Sequence, residues 1–297
     1  MIVTGKGGVG KSTVALALAL AGAGRGKRTI LCEVSSQEQF SRVFHRAEIG
    51  FHEVEMADNL WGISIDPDES IKEYLLIQLK VKAMRDLLVN SRIFSYLAAA
   101  TPGLRELVSF GKVWELAQPN RKVKGALQYD LVVVDAPSTG HGVGFLQTPR
   151  TFAAVARVGP IRSQAETLDA YITNHHKTGV AIVALPEEMP VNESAFLEQQ
   201  LTEEVGASVD RILMNGLYPE RFSAEEVQRL EPLAAGRDGP VAAACRAAVR
   251  QSRRAATQRE QLARLEEMTS APLSTLPFIF EPELGLEQIR RLAEQVV

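Results

Sequence analysis

A chain of 297 residues can hold one large α/β domain or two smaller ones and bury a substantial core, and its formal net charge of −3 is ordinary for a globular protein. No basic tract or aromatic-interleaved stripe appears, which argues against nucleic acid as a direct partner, and the longest apolar runs fall well short of a membrane span. Cys32 and Cys245 are lone residues in an expected strand and helix and read as buried small apolar side chains, not as a disulfide or a metal pair.

The chain opens on MIVTGKGGVGKST. Gly5-Lys6-Gly7-Gly8-Val9-Gly10-Lys11-Ser12 fits the phosphate-loop pattern of a glycine, four residues, then Gly-Lys-Ser/Thr, and Thr13 continues it. Ile2 and Val3 make a short β-branched strand before the loop, and Ser12 to Ala23 is strongly helix-forming. The loop thus joins a buried strand to a helix N-terminus, where backbone N–H groups and the helix dipole favour anions. A glycine-rich turn with incidental lysines is the bland alternative, and this setting argues against it. Lys11 is placed to neutralise β- and γ-phosphates, and the Ser12 hydroxyl to ligate Mg²⁺. Lys6 is not required by the pattern, and a cation in so tight a turn needs an anion to offset it. A chain that opens on this loop instead of a signal peptide is expected to be cytoplasmic, and a strand that starts at Met1 suggests residues upstream of this numbering.

Gly24 to Lys27 form a turn, and Arg28 to Cys32 a second strand that delivers Glu33 to the crevice end of an open sheet. Val34 to Phe44 reads as a loop and short helix, Leu60 to Ile65 as a strand, and Asp66-Pro67-Asp68 as a helix start. Residues 68–128 read as a helical insertion. Ile77, Val81, Met84 and Leu88 fall at helical spacing beside Leu76, Leu79, Ala83 and Leu87, a face too wide for a helix lying on one side of a core. It suits a helical cap, a dimer surface or a client-binding surface. Pro102-Gly103 breaks the pattern before a helix from Leu104 to about Ala117. Tyr129 to Asp135, Val180 to Leu185, Val209 to Met214 and Ala271 to Pro277 complete the strands, with a long helix from about Pro240 to Met268. In the last helix, Leu286 to Val297, the apolar side favours core packing over membrane binding. Strands alternating with helices predict one α/β domain over 1–297, a doubly wound, mostly parallel sheet.

Asp135, at the end of a buried strand, is the acid that would hold Mg²⁺ beside Ser12. The double-lysine loop resembles the deviant Walker A loop of the dimeric ATPases that include the arsenite-pump, tail-anchored-protein-targeting, division-site and plasmid-partition enzymes. In that class the extra lysine reaches the partner's nucleotide, so the resemblance implies a dimer joined through Lys6. After Asp135, Thr139-Gly140-His141 and Phe145-Leu146-Gln147 resemble the arsenite-pump and tail-anchored-targeting branch, although Ala136-Pro137-Ser138 departs from it. Gly140, Gly142 and Gly144 supply a pliable segment suited to a nucleotide-sensing switch, with His141 as a hydrogen-bonding switch residue or a general base. Leu185-Pro186-Glu187 with Glu193-Ser194 resembles the family's Pro-Glu segment and its downstream Glu-Thr. Asn215 falls where the family contacts adenine, and Leu276-Pro277 resembles the late loop that flanks the base.

Two departures bear on chemistry. Ser35 stands where the family has the aspartate that orients the attacking water, and Glu33 is the carboxylate near enough in sequence to take that role. The family's thiolate zinc and metalloid sites have no counterpart in Cys32 and Cys245. The resemblance implies an ATP- and Mg²⁺-dependent dimeric switch, as a homodimer or with a related subunit, whose insertion takes a hydrophobic or membrane-protein client. Lys6, Lys11, Ser12, Asp135 and Glu33 would carry its chemistry. A nucleotide-binding scaffold of low turnover within a heterodimer and a partition or division-site ATPase are the rival readings.

Overall fold

Uninterrupted runs of Val, Ile and Leu make strands that are buried on both faces, and here they join in one eight-stranded sheet. The computed structural model describes residues 1–34, 39–44, 49–78, 101, 103–121, 123, 125–156, 158–235 and 239–296. The strands are β1 (Ile2–Gly5), β2 (Thr29–Glu33), β3 (Val54–Ala57), β4 (Leu60–Ser64), β5 (Leu131–Asp135), β6 (Val180–Ala184), β7 (Val209–Leu217) and β8 (Leu273–Pro277). They lie in the order β3-β4-β2-β5-β1-β6-β7-β8, with β3 antiparallel to β4 and the other neighbours parallel. From β1 the chain winds first toward β2 and later toward β6, so the crevice of a doubly wound sheet opens at the C-terminal end of β1.

The helices are α1 (Lys11–Gly24), α2 (Gln39–Val43), α3 (Pro67–Gln78), α4 (Leu104–Leu116), α5 (Thr139–Val155), α6 (Pro160–Ile172), α7 (Glu188–Gln200), α8 (Ala224–Ala234), α9 (Pro240–Met268) and α10 (Leu286–Ala293). A π-helical turn, Leu201–Val205, extends α7. Strand alternation divides the core in two. Cys32, Val134, Ile182 and Met214 pack under α4, α5, α6, α7 and α9, while Val3, Leu31, Val133 and Val183 pack against α1 and α10. The apolar side of α10 is used up in this second core, where Ile289, Leu292 and Val296 are buried.

The mostly parallel α/β architecture is the one expected. The structure adds β3, an edge strand whose residues are exposed except for Met56 and half-buried Ala57, so no apolar alternation announces it. Asn59, at a left-handed φ of 60°, turns it into β4. α5 is helical from Thr139, so the glycine-rich segment expected to be pliable forms its first turns. The wide apolar face of the insertion, from Leu76 and Ile77 through Leu88, falls on side chains and residues outside those described, as does Ser35.

α3 and α4 pack together and are tied to the sheet by a buried ionic network. Arg121, its side chain 2% exposed, forks onto Glu53 at 2.6 and 2.9 Å and reaches Glu115 at 2.9 Å. Tyr129 donates to Glu53 at 2.7 Å, and Lys112 on α4 bridges Glu115 to Glu73 on α3. Burial would raise the Glu53 carboxyl, but the bonds from Arg121 and Tyr129 outweigh it and hold the group below its ordinary range.

Candidate functional site

β1 ends and α1 begins at the loop Gly5 to Gly10, where Gly5, Gly8 and Gly10 all take positive φ and two of them are also crowded. Gly5 has φ 146° and lies so close to the Val183 carbonyl that a Cβ would collide with it. Gly10, the residue before α1, has φ 90°, and a Cβ there would strike the Asn215 amide. That amide reaches over from β7 and donates to the Val9 carbonyl at 2.9 Å. The loop therefore has a brace two strands away from its own.

Lys11 turns back onto the loop, donating to the Lys6 carbonyl at 3.0 Å. Desolvation lowers its pKa, and the charge of Asp135 opposes that shift. Ser12 Oγ donates to Asp135 Oδ2 at 2.5 Å. The other oxygen, Asp135 Oδ1, is buried with no hydrogen-bond partner among the described residues. Burial pushes the Asp135 carboxyl up to about 6, against the opposing pull of the Ser12 hydroxyl and the Lys11 ammonium. An alcohol beside a desolvated carboxylate with an unmet lone pair is a hard-oxygen donor set, and these residues fit Mg²⁺. Both cysteines are buried, and burial pushes the Cys32 thiol up to about 12, which makes it a poor metal ligand or nucleophile.

Glu33 closes β2 in register with Asp135 on β5 and Ser64 on β4. Neighbours in register share a face, so both carboxylates point to the α1 side of the sheet. Glu33 is 2% exposed. Pro277 ends β8 opposite Leu217, on the far side of β1 from the two acids. The first turns of α5 lie on β1: a Cβ on Gly142 would come within 2.8 Å of Thr4 Oγ1 and 3.0 Å of the Pro137 carbonyl. The side chains of Thr139 and His141 lie outside those described.

Lys6 pairs within its own chain. Its ammonium meets Glu193 Oε1 at 2.8 Å and rests against the Met189 sulfur, both on α7. Glu193 stood out in the sequence only through the family resemblance, and no pattern announced Met189. The i, i+4 spacing puts them on one face of α7, but only the sheet order shows that this face meets the loop after β1.

The family model of the anion-transporting ATPases matches residues 1–164 and 154–233. The chain belongs to the anion-transporting ATPase family. Like its family it is an ATPase, and ATP with Mg²⁺ is what the family uses. Among individual relatives of the chain, ATPase BagA of Mycobacterium tuberculosis is 25% identical over 233 residues, covering 77% of this chain and 68% of the relative. A putative arsenical pump-driving ATPase of Halobacterium salinarum is 24% identical over 309 residues, all of this chain and 44% of that protein. ATPase get3 of Neurospora crassa is 30% identical over 167 residues, 55% of this chain and 47% of the relative. Among the described residues, no helix is long and apolar enough to cross a membrane.

Proposed function

We propose that the chain is a Mg²⁺-dependent ATPase switch that works as a dimer. The observation that carries this reading is the Ser12–Asp135 pair at the start of α1, with Asp135 Oδ1 buried and unmet. The triphosphate lies along Gly5 to Thr13, where the α1 N-terminus and the Lys11 ammonium offset its charge. Ser12 and Asp135 hold Mg²⁺, which when bound offsets charge on the phosphate oxygens. Asn215 and Pro277 flank the base. In the dimer Lys6 leaves Glu193 for the partner's nucleotide. Glu33 accepts the proton of the attacking water, its place beside Asp135 supporting that role. Closing and release of the phosphate site act on α5, whose first turn touches β1, and through α5 on the helical insertion. The insertion takes a hydrophobic segment of a membrane-protein client.

Steady-state ATP hydrolysis measured against protein concentration tests the core of this reading. Specific activity should rise with concentration and fall in Lys6→Ala and Lys11→Ala. Tight Mg-ATP binding without turnover at any concentration would sink the self-sufficient enzyme and favour a scaffold that needs a complementary subunit. Glu33→Gln should lower kcat at least about a hundredfold with Mg-ATP binding retained, and unchanged turnover removes Glu33 from the mechanism.

A further inference from the structure

The Asn215 brace depends on a place where the sheet is irregular. Between Met214 and Leu217 the pairing of β7 with β8 slips, and Gly216 takes a left-handed φ of 76°. β6 stops at Ala184, opposite Met214, so beyond that point the side of β7 that faced β6 has no strand to bond. The Leu217 carbonyl turns to the β8 side and accepts from the Phe278 N–H at 2.8 Å. The Gly216 carbonyl and the Tyr218 N–H are satisfied by a single side chain. Gln258, midway along α9 and 6% exposed, accepts from the Tyr218 N–H at 2.7 Å and donates to the Gly216 carbonyl at 3.4 Å. One residue of a parallel strand bonds its neighbour in this way, to the carbonyl before and the N–H after its opposite number. The Gln258 amide thus stands in for a missing residue of β6. Arg254, one turn earlier, lies over the Tyr218 ring at 4.5 Å, and Arg259 reaches the Tyr218 carbonyl at 3.5 Å.

We propose that Gln258 is a positioning residue of the nucleotide site: it completes the edge of β7, and so holds Asn215 against Val9 and the loop in its phosphate-ready shape. The inference rests on the reading of that loop as a phosphate site. α9 then governs the loop without touching it.

The test is a double-mutant cycle on the full chain, read by calorimetric binding of Mg-tripolyphosphate and Mg-ATP to wild type, Gln258→Met, Asn215→Ala and the double variant. Each single variant should weaken Mg-tripolyphosphate about tenfold and Mg-ATP at least as much, Asn215→Ala losing its base contact as well, and the double variant should bind neither ligand more weakly than the poorer single one. Wild-type affinity in Gln258→Met, or losses that multiply to about a hundredfold in the double variant, would overturn the inference while leaving the phosphate site intact. Failure of the wild-type chain to bind either ligand would remove the phosphate reading and this inference with it. If Gln258→Met does not fold, Gln258→Glu takes its place in the cycle, with the same two outcomes, since it keeps an acceptor for Tyr218 and nearly the same volume.

Discussion

A carboxylate buried ahead of its cation bears the cost of desolvation in the free protein, and Asp135 is such a group. Its carboxyl sits at about 6 in the folded chain against 3.8 in the open chain. An acid raised on folding binds more protons in the native than in the unfolded state, so stability falls as pH rises from about 4 to about 6 and is level above that. The difference of about two pKa units corresponds to roughly 3 kcal/mol of native-state cost at pH 7. Asp135→Asn should recover up to that amount and flatten the pH dependence of unfolding between about pH 4 and 6, while Mg²⁺-dependent nucleotide binding is lost. Denaturant midpoints across that pH range decide it; an unchanged slope would mean that other carboxylates set the acid limb. In the unsubstituted protein a proton competes for the same oxygens, so Mg²⁺-nucleotide affinity should fall with pH below about 6.

Elements differ in how openly the sequence declares them. α9 was legible from Pro240 to Met268 because Pro stands at its first position and Cys245, Val249 and Leu265 recur on one side, although Val241 and Met268, counted on that side from the sequence, are exposed. β3 was not, since its place at the sheet edge leaves one buried side chain in four. The loop after β1 was legible because glycine spacing is a local signal, whereas Asn215 braces it across 206 positions of chain and Gln258 steadies that brace from further still. Contacts of that range exist only once the strand order is set. α5 falls between these cases: three glycines mark its start as pliable, and the segment is helical from Thr139. Gly144 is exposed, with nothing within 4 Å of where a Cβ would stand. Gly144→Ala should therefore stabilise α5 by about 0.5–1 kcal/mol. If this segment must loosen during turnover, kcat should drop in the same variant, while equal kcat with higher stability would show that α5 stays helical throughout the cycle.

At the scale of the molecule, two ionic groupings do opposite work. The network around Arg121 joins α4 and α3 to the sheet, and Arg121, Lys112 and Glu115 are too buried for water to replace a lost partner. Arg121→Met should cost about 1–3 kcal/mol of stability, because Glu53 would keep only the Tyr129 hydrogen bond and Glu115 only the Lys112 ammonium. Replacing Glu53 and Glu115 by glutamine in that background should restore part of the loss. The Lys6–Glu193 pair is of the other kind. With side chains 28% and 38% exposed it is partly wetted, and such pairs contribute at most about 1 kcal/mol. A contact this weak suits a lysine that must be released, since the second nucleotide of a dimer offers several negative charges in its place. Glu193→Gln should therefore shift the Mg-ATP-dependent monomer–dimer midpoint to lower concentration by no more than about thirtyfold, as read by sedimentation, since a homodimer releases two such pairs at about 1 kcal/mol each. A shift the other way would mean that Glu193 aims Lys6 toward the partner, and that the pair belongs to the assembled state.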